Sequence, residues 1–233
     1  MSWEGKYEAF DGKPCLRGVI SCHDFGNGLG YKQRIKWTNG LVGILSFQWS
    51  EPFYYINGPP GSSSNLDIYL LDPETEEVIG FPPPNNIGGD PIELAFLEGD
   101  KEYDLVIALA EGRAPEMMKW SIVLGDGTLE ANPPANAGTI SNHANSNHVA
   151  AVGAAFEIQT FGELKAETFS SAGGTPILFD RSGKRLRKRK VFDQPRFVGP
   201  DVSLDGPHQM TVHTKRVDPQ HLPPFLTLFF VLL

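Results

Sequence analysis

The chain has 233 residues, 40% of them hydrophobic and 11% aromatic, which is enough for a packed core and too much for a disordered protein. Its 28 acidic and 20 basic residues give a net charge of -8, so the chain is not a general polyanion binder and no nucleic-acid partner is predicted. With 25 glycines and 19 prolines, the composition favours short strands and turns over long helices.

The N-terminal residues 1–16 are predicted to be irregular, with glycine-rich sequence continuing to about residue 30. They contain acidic residues and no apolar segment, so they do not form a secretory signal. Cys15 and Cys22 have six residues between them, a spacing that is neither a Cys-x-x-Cys pair nor a disulfide framework of a small secreted protein. Two free thiols are therefore expected, with a local disulfide as the alternative.

Residues 17–125 are predicted to form an antiparallel β-sandwich, because apolar side chains alternate along several short segments. Loops rich in Pro and Gly, at residues 57–65 and 82–91, separate these segments. The positions that share a strand face are Leu41, Gly43, Leu45, Phe47 and Trp49; Leu66, Ile68 and Leu70; Tyr103, Leu105, Ile107 and Leu109; and Trp120, Ile122 and Leu124.

A linker is predicted at residues 126–137, and a second region at 138–201 has a different pattern. Short strands are expected at residues 139–141 and 148–156, where small apolar residues without alternation are typical of a parallel sheet. A hairpin turning at residues 180–183 follows. Residues 202–233 are unassigned. Their apolar end, residues 225–233, is too short to span a membrane, which needs about 20 residues, and is either a buried strand or an out-of-frame tail.

Three segments of the second region resemble the stretch that precedes the nucleophile in the subtilisin-like serine peptidases. They are Val152-Gly153-Ala154, Phe169-Ser170-Ser171 and the Pro-containing loop at 194–200. Four upstream segments, residues 23–25, 45–49, 66–72 and 85–91, resemble a β-sandwich inserted in some bacterial members. The resemblance implies a mainly β chain, in which an antiparallel β-sandwich insert is joined to a truncated α/β subtilisin-like sheet.

The resemblance also implies a serine endopeptidase lineage that cleaves polypeptide through an acyl-enzyme. That chemistry requires a Ser, a His and an Asp, with donors aimed at the oxyanion. The family's Gly-Thr-Ser segment is expected just after Asp201, where the sequence instead reads VSLDGPHQMTVHTKRV. The segments that carry the Asp, the His and the oxyanion Asn would precede Met1. We therefore predict a fragment without catalytic residues that is inactive alone; the alternative is a non-enzymatic module that binds protein, glycan or calcium.

No metal or other cofactor is predicted. Histidines occur beside Asp24 and in two pairs spaced five apart, and turn or solvated histidines are favoured over zinc ligands. These histidines are His23, His143 and His148, and His208 and His213. Calcium is the more plausible ion, since Asp67, Asp72, Asp90 and loop carbonyls offer oxygen ligands. The favoured interpretation is that Asp67 and Asp72 only face water.

Two further patterns have a structural and a binding interpretation. Residues 184–190 hold six cations in seven positions, and a solvated hairpin arm is favoured over a nucleic-acid patch. The aromatic run at residues 52–57, with Trp37 and Trp49 nearby, is assigned to the sandwich core rather than to a sugar-stacking surface.

Overall fold

The computed structural model describes residues 2–12, 15–80, 83–125, 127–132, 136–156, 166–167 and 170–201. The protein is mainly β, with antiparallel sheets, as predicted. It divides into two compact units, Met1–Ala137 with Leu178–Lys188, and Gly138–Ile177 with Arg189–Leu233. The predicted apolar tail and the pair His208 and His213 lie outside the described residues. No helix in the described ranges is long and apolar enough to cross a membrane.

Short strands make up the first unit. In chain order they are β1 (Ser2–Gly5), β2 (Ser21–Cys22), β3 (Gln33–Thr38), β4 (Val42–Trp49), β5 (Asn65–Leu71), β6 (Val78–Ile79), β7 (Ile92–Glu98), β8 (Lys101–Glu111), β9 (Met118–Gly125) and β10 (Thr128–Asn132). One helical turn, α1 (Tyr54–Asn57), lies between β4 and β5. The four-stranded sheet has the order β1-β9-β4-β7, and the six-stranded sheet has the order β10-β3-β8-β5-β6 with β2 beside β8.

The main core lies between these two sheets and is built from the alternating positions that the sequence indicates. The predicted inward faces of β5 and β8 are confirmed. The buried residues on them are Leu66, Ile68 and Leu70, and Tyr103, Leu105, Ile107 and Leu109. Leu45, Phe47 and Trp120 are also buried as predicted, whereas Leu41 and Leu124, at the ends of their segments, are 78% and 66% exposed.

The six-stranded sheet is also covered on its outer face. Cys22, Leu71, Val106 and Ala108 form a second buried cluster there, against which Cys15, Leu16, Val19, Tyr31 and Tyr69 pack. The prediction of two free thiols is wrong, because Cys15 and Cys22 form a disulfide. Packing of the N-terminal segment on the sheet brings the two cysteines together, a tertiary effect that their spacing does not reveal.

Two segments that were predicted to be irregular, residues 1–16 and the linker at 126–137, each contain a short strand. The prediction for residues 1–16 is wrong at β1, which pairs with β9 from Ser2↔Ser121 to Gly5↔Met118. The predicted linker likewise contains β10, which pairs with β3 and buries Leu129 and Ala131. Strands of four and five residues place only two or three side chains on each face, too few to show a period.

The second unit contains β11 (Val152–Phe156) and β14 (Phe197–Asp201), which pair in parallel, as the unalternated small residues predict. The strand expected at residues 139–141 is instead a single bridge between Ile140 and Gly174, after which a 3-10 turn spans Asn142–Ala144. The predicted hairpin is confirmed as β12 (Ile177–Phe179) and β13 (Arg185–Lys190).

The disulfide yields a direct prediction. Protein unfolded without reductant should show no thiol that reacts with Ellman's reagent, because Cys15 and Cys22 are the two cysteines of the chain. Reduction should lower the midpoint of thermal unfolding, since closing a loop of this length stabilises a fold by about 2.5 kcal/mol. The double variant Cys15→Ser/Cys22→Ser is the control, and dithiothreitol should leave its midpoint unchanged. Two titratable thiols in the unreduced protein would contradict the disulfide.

Candidate functional site

The three segments that resemble the peptidase motifs meet at β11 in the second unit. Strand β11 pairs in parallel with β14, and the Ala154 N–H donates to the Ser170 hydroxyl at 3.1 Å. Gly153 makes this contact close, because a Cβ there would lie 3.0 Å from Ser170 Oγ and 3.3 Å from Pro195 Cγ. The structure therefore brings together Val-Gly-Ala, Ser-Ser and the Pro-containing loop; Phe169 lies outside the described residues.

Gln194, in the loop before β14, holds the loop that leads into β11. Its side chain is buried, and its Nε2 donates to the carbonyls of Ser146 at 2.7 Å and Val149 at 2.8 Å. Its Oε1 accepts from the Ala151 N–H at 3.0 Å. One amide side chain thus replaces the backbone partners that this loop lacks.

A shallow depression of about 460 Å³ lies in the same unit. Its lining consists of Gly138 and residues 172–174 and 191–194. Asp193 is the titratable residue of this lining, which contains neither a serine nor a histidine. The depression therefore lacks the hydroxyl and imidazole that acyl transfer requires.

The adjacent residues His23 and Asp24 do not form a catalytic pair. His23 is buried, its Nδ1 lies 3.1 Å from the Glu8 N–H, and its ring meets Phe25 edge-on at 4.8 Å. Burial lowers the pKa of His23, although the backbone of Glu8 and the charge of Asp24 act in the opposite direction. The Asp24 carboxylate accepts from the Gly26 N–H at 2.8 Å, within its own turn. His23 is a core histidine.

His143 and His148 are exposed in the second unit, as predicted for solvated or turn histidines. The described residues contain no group of three or more His, Cys, Asp or Glu that could hold a metal ion. The predicted calcium ligands Asp67, Asp72 and Asp90 are therefore not brought together as a set.

The two half-buried members of that set, Asp72 and Asp90, are each engaged locally. The Asp72 carboxylate accepts from the N–H groups of Glu74 and Thr75, both at 2.9 Å, and these bonds lower its pKa. Asp90 accepts from the Tyr55 N–H at 2.9 Å. Asp72 closes a turn, as the water-facing interpretation implies, and Asp90 positions α1.

The prediction for Asp67 is wrong, because this residue is only 5% exposed. Its Oδ1 accepts from Asn65 Nδ2 at 3.0 Å, and its Oδ2 accepts from the Tyr69 hydroxyl at 2.8 Å. Burial raises the pKa of Asp67, and these two bonds lower it less. Asn65 in turn accepts from the Asn86 N–H at 2.8 Å through its Oδ1.

Glu93 completes this polar group from the opposite sheet. It is 4% exposed, and its Oε2 accepts from the Ile68 N–H at 3.0 Å. Strand β6 pairs only with Leu70 and Leu71 of β5, so the first half of that edge has no neighbouring strand and a side chain takes its place. We call Asn65, Asp67, Asn86 and Glu93 the β5 edge cluster.

Two oxygens of the β5 edge cluster have no hydrogen-bond partner among the described residues. They are Glu93 Oε1 and Asn86 Oδ1, and both residues are more than nine-tenths buried. An unpartnered buried oxygen costs about 1–3 kcal/mol. Burial is also the main reason that the pKa of Glu93 rises to about 8; the Ile68 N–H lowers it, and the charge of Asp67 raises it further.

The serine-rich loop after α1 is organised by a single carboxylate. Glu51 accepts from the N–H and hydroxyl groups of Ser63 and Ser64 at 2.7–3.0 Å, and also from the Ser62 hydroxyl. Burial raises the pKa of Glu51, but the serine bonds outweigh that effect and leave the pKa lowered. Because a lowered pKa makes the Glu51 carboxylate a weak base, these bonds hold the loop in place rather than activate a hydroxyl.

The aromatic run at residues 52–57 was assigned to the core, and this is wrong for most of it. Tyr54, Tyr55 and Ile56 are 50%, 88% and 72% exposed on α1. Strand β4 ends at Trp49, so the residues beyond it no longer follow the alternation that buries Trp49 itself. Trp37, on β3, is buried as predicted.

The cationic residues at 184–190 are all exposed on the β12–β13 hairpin, as both the solvated arm and the nucleic-acid patch require. Its turn is closed by Asp180, whose Oδ1 accepts from the N–H groups of Ser182 at 2.9 Å and Lys184 at 3.0 Å. Arg185 pairs with Glu116 and lies over the Phe179 ring at 5.4 Å.

A comparison with models of known protein families finds no match to this chain, and a search of curated protein sequences finds none either.

The β5 edge cluster predicts a pH-dependent stability. Because the folded Glu93 carboxyl keeps its proton to about pH 8 whereas its ordinary pKa is 4.5, the folded state binds more protons between these values. The stability linked to Glu93 is therefore complete below about pH 4.5 and is lost as the pH rises through about 8, at up to about 1.4 kcal/mol per pH unit.

Glu93→Gln should remove this dependence, since the amide keeps an acceptor for the Ile68 N–H and carries no charge at any pH. The remaining titratable groups that face Glu93 are Asp67 and Tyr69 of β5. Chemical unfolding across this pH range measures the effect. The matched control is Glu130→Gln, the same change at an exposed position of β10. Equal pH slopes for the wild type and Glu93→Gln would show that Glu93 is already ionised in the fold.

Proposed function

We propose that this chain derives from the subtilisin-like serine endopeptidases and is a non-hydrolysing part of that lineage. In this proposal the first unit is an inserted β-sandwich, and the second unit is a portion of the catalytic-domain sheet. The polypeptide substrate would then be bound and cleaved only where the missing catalytic segments are also present.

The observation that carries this proposal is the meeting of the three motif segments at β11. They are separated by many residues along the chain, yet Ala154 contacts Ser170 and β11 pairs with β14. Segments that resemble a family only by chance have no reason to form one packed contact. Fold and chemistry are separable, so this support extends to the lineage and not to the reaction.

Peptide hydrolysis by the described residues is disfavoured by what surrounds their serines and histidines. Ser62, Ser63 and Ser64 donate to Glu51, and His23 is enclosed by aromatic rings. Ser170 accepts from a backbone N–H rather than facing an imidazole. None of these arrangements yields an activated nucleophile.

Labelling with a fluorophosphonate probe tests the absence of hydrolysis. We expect no serine adduct by mass spectrometry and no release of fluorescence from labelled casein, with an active subtilisin treated in parallel as the positive control. A heat-sensitive adduct on one serine, formed in step with casein cleavage, would overturn the non-hydrolysing assignment.

The lineage is tested separately by the DNA on either side of the coding region. Segments encoding the family's Asp, His and Gly-Thr-Ser motifs are expected there, in any reading frame. Unrelated coding sequence on both sides would contradict the lineage while leaving the labelling result untouched.

A second candidate function is a polypeptide-binding module, favoured by the exposed side chains of α1. Tyr55 and Ile56 stand in solvent on a turn that Asp90 and the Asn57–Arg181 hydrogen bond hold in place. A fixed aromatic and aliphatic pair of this kind is typical of binding surfaces.

The double variant Tyr55→Ser/Ile56→Ser tests this module. Fluorescence anisotropy with labelled unfolded casein should show at least about tenfold weaker binding, since removal of two exposed anchors costs over 1 kcal/mol. Val123→Ser, on an exposed part of β9, is the control and should bind like the wild type. No binding to the wild type, or equal binding to both variants, would exclude α1 as the contact surface.

A further inference from the structure

The β5 edge cluster collects side-chain oxygens where the six-stranded sheet lacks a neighbouring strand. Glu93 Oε2 accepts from the N–H of Ile68, the residue that follows Asp67, so both acids lie at the same part of the β5 edge. Asn65 connects them to the loop before β7, since its Nδ2 donates to Asp67 and its Oδ1 accepts from the Asn86 N–H. All four residues belong to the first unit.

Asn86 is oriented by the backbone around it. Its Nδ2 donates to the carbonyls of Asp90 at 2.8 Å and Ile92 at 3.1 Å, which fixes the amide plane one residue before Glu93. The Oδ1 on the other side of that amide is buried and has no partner among the described residues. The same is true of Glu93 Oε1, so two oriented, buried acceptors lack a donor in one cluster.

No ion pair in the described part of the chain involves Asp67 or Glu93. The ion pairs identified among the described residues all involve other carboxylates, such as Glu76, Asp104 and Glu116. Two buried carboxylates without a cation are unfavourable, because a buried charge is stable only when it is paired or coordinated. A proton or a metal ion is the remaining way to neutralise the pair.

We propose that the β5 edge cluster binds one calcium ion through the carboxylates of Asp67 and Glu93 and the side-chain oxygen of Asn86. All available ligands are oxygens, which excludes the nitrogen and sulfur chemistry of a zinc site. Two carboxylates balance the charge of a divalent cation, and the mixture of carboxylate and amide oxygens suits calcium, whose coordination is more flexible than that of magnesium.

The site differs from a grouping of Asp67, Asp72 and Asp90, since the carboxylates of the last two are engaged elsewhere. The inference does not depend on the proposed peptidase lineage, because it rests on the first unit alone.

Calcium titration of the chelator-treated full chain, followed by thermal unfolding, tests the site. At roughly 5 mM calcium the unfolding midpoint of the wild type should rise by several degrees. Glu93→Gln and Asp67→Asn should lose most of that rise. Glu130→Gln, a Glu-to-Gln change at an exposed position of β10, should retain it. Calorimetry should give one ion per chain, bound at least about tenfold more weakly by Glu93→Gln.

Terbium luminescence provides a second measurement that does not require a stability change. The Tyr69 hydroxyl donates to Asp67, so its ring lies close enough to sensitise a lanthanide bound at the cluster. Excitation of tyrosine should produce terbium emission that calcium displaces, and Glu93→Gln should abolish it.

Three results would overturn the proposal. One is an unchanged midpoint and no terbium emission with the wild type. Another is an equal response in wild type and Glu93→Gln, which would place calcium elsewhere on the chain. The third is an unfolding midpoint that falls with pH and ignores calcium even at about pH 9, which would show that a proton alone neutralises the cluster.

Discussion

The first unit depends on the burial of β8 on both faces. Residues 103–109 are all buried, although alternate side chains point to opposite sides of the sheet. The opposite sheet covers Leu105 and Ile107, so something else must cover Val106 and Ala108. The N-terminal segment does so, and the Cys15–Cys22 disulfide closes that segment over the outer face. The irregular N-terminal segment therefore covers the outer apolar face of the six-stranded sheet, which would otherwise be exposed.

The neighbouring strand β5 has a different requirement. Its second half pairs with β6, but its first half presents unpaired backbone groups to a buried region. Glu93 supplies an acceptor for the Ile68 N–H from across the sandwich, which explains why a carboxylate occupies an inward position of β7. Closing an edge in this way buries an acid, and burial is the main cause of the raised pKa of Glu93, to which the charge of Asp67 adds.

Much of the fold was predictable from the sequence because alternation is a local signal. It located the inward faces of β5 and β8, and its absence along residues 148–156 indicated the parallel pairing of β11. The burial of Asp67 was not predictable, since its outward position predicts solvent until the N-terminal segment is known to cover that face. The burial of Glu93 was predictable, because Glu93 lies on the same face of β7 as the buried Ala95 and Leu97. Asn86 lies in a loop, where no period applies.

The second unit is organised by close packing around β11. Parallel strands such as β11 and β14 require a long connection, and that connection carries the Ser170 contact and the β12–β13 hairpin. The close contact of Gly153 with Ser170 and Pro195 is a packing constraint that holds whatever the chain does. These contacts favour a small residue in β11 without depending on a reaction, so they are evidence about the scaffold of this unit rather than about its chemistry.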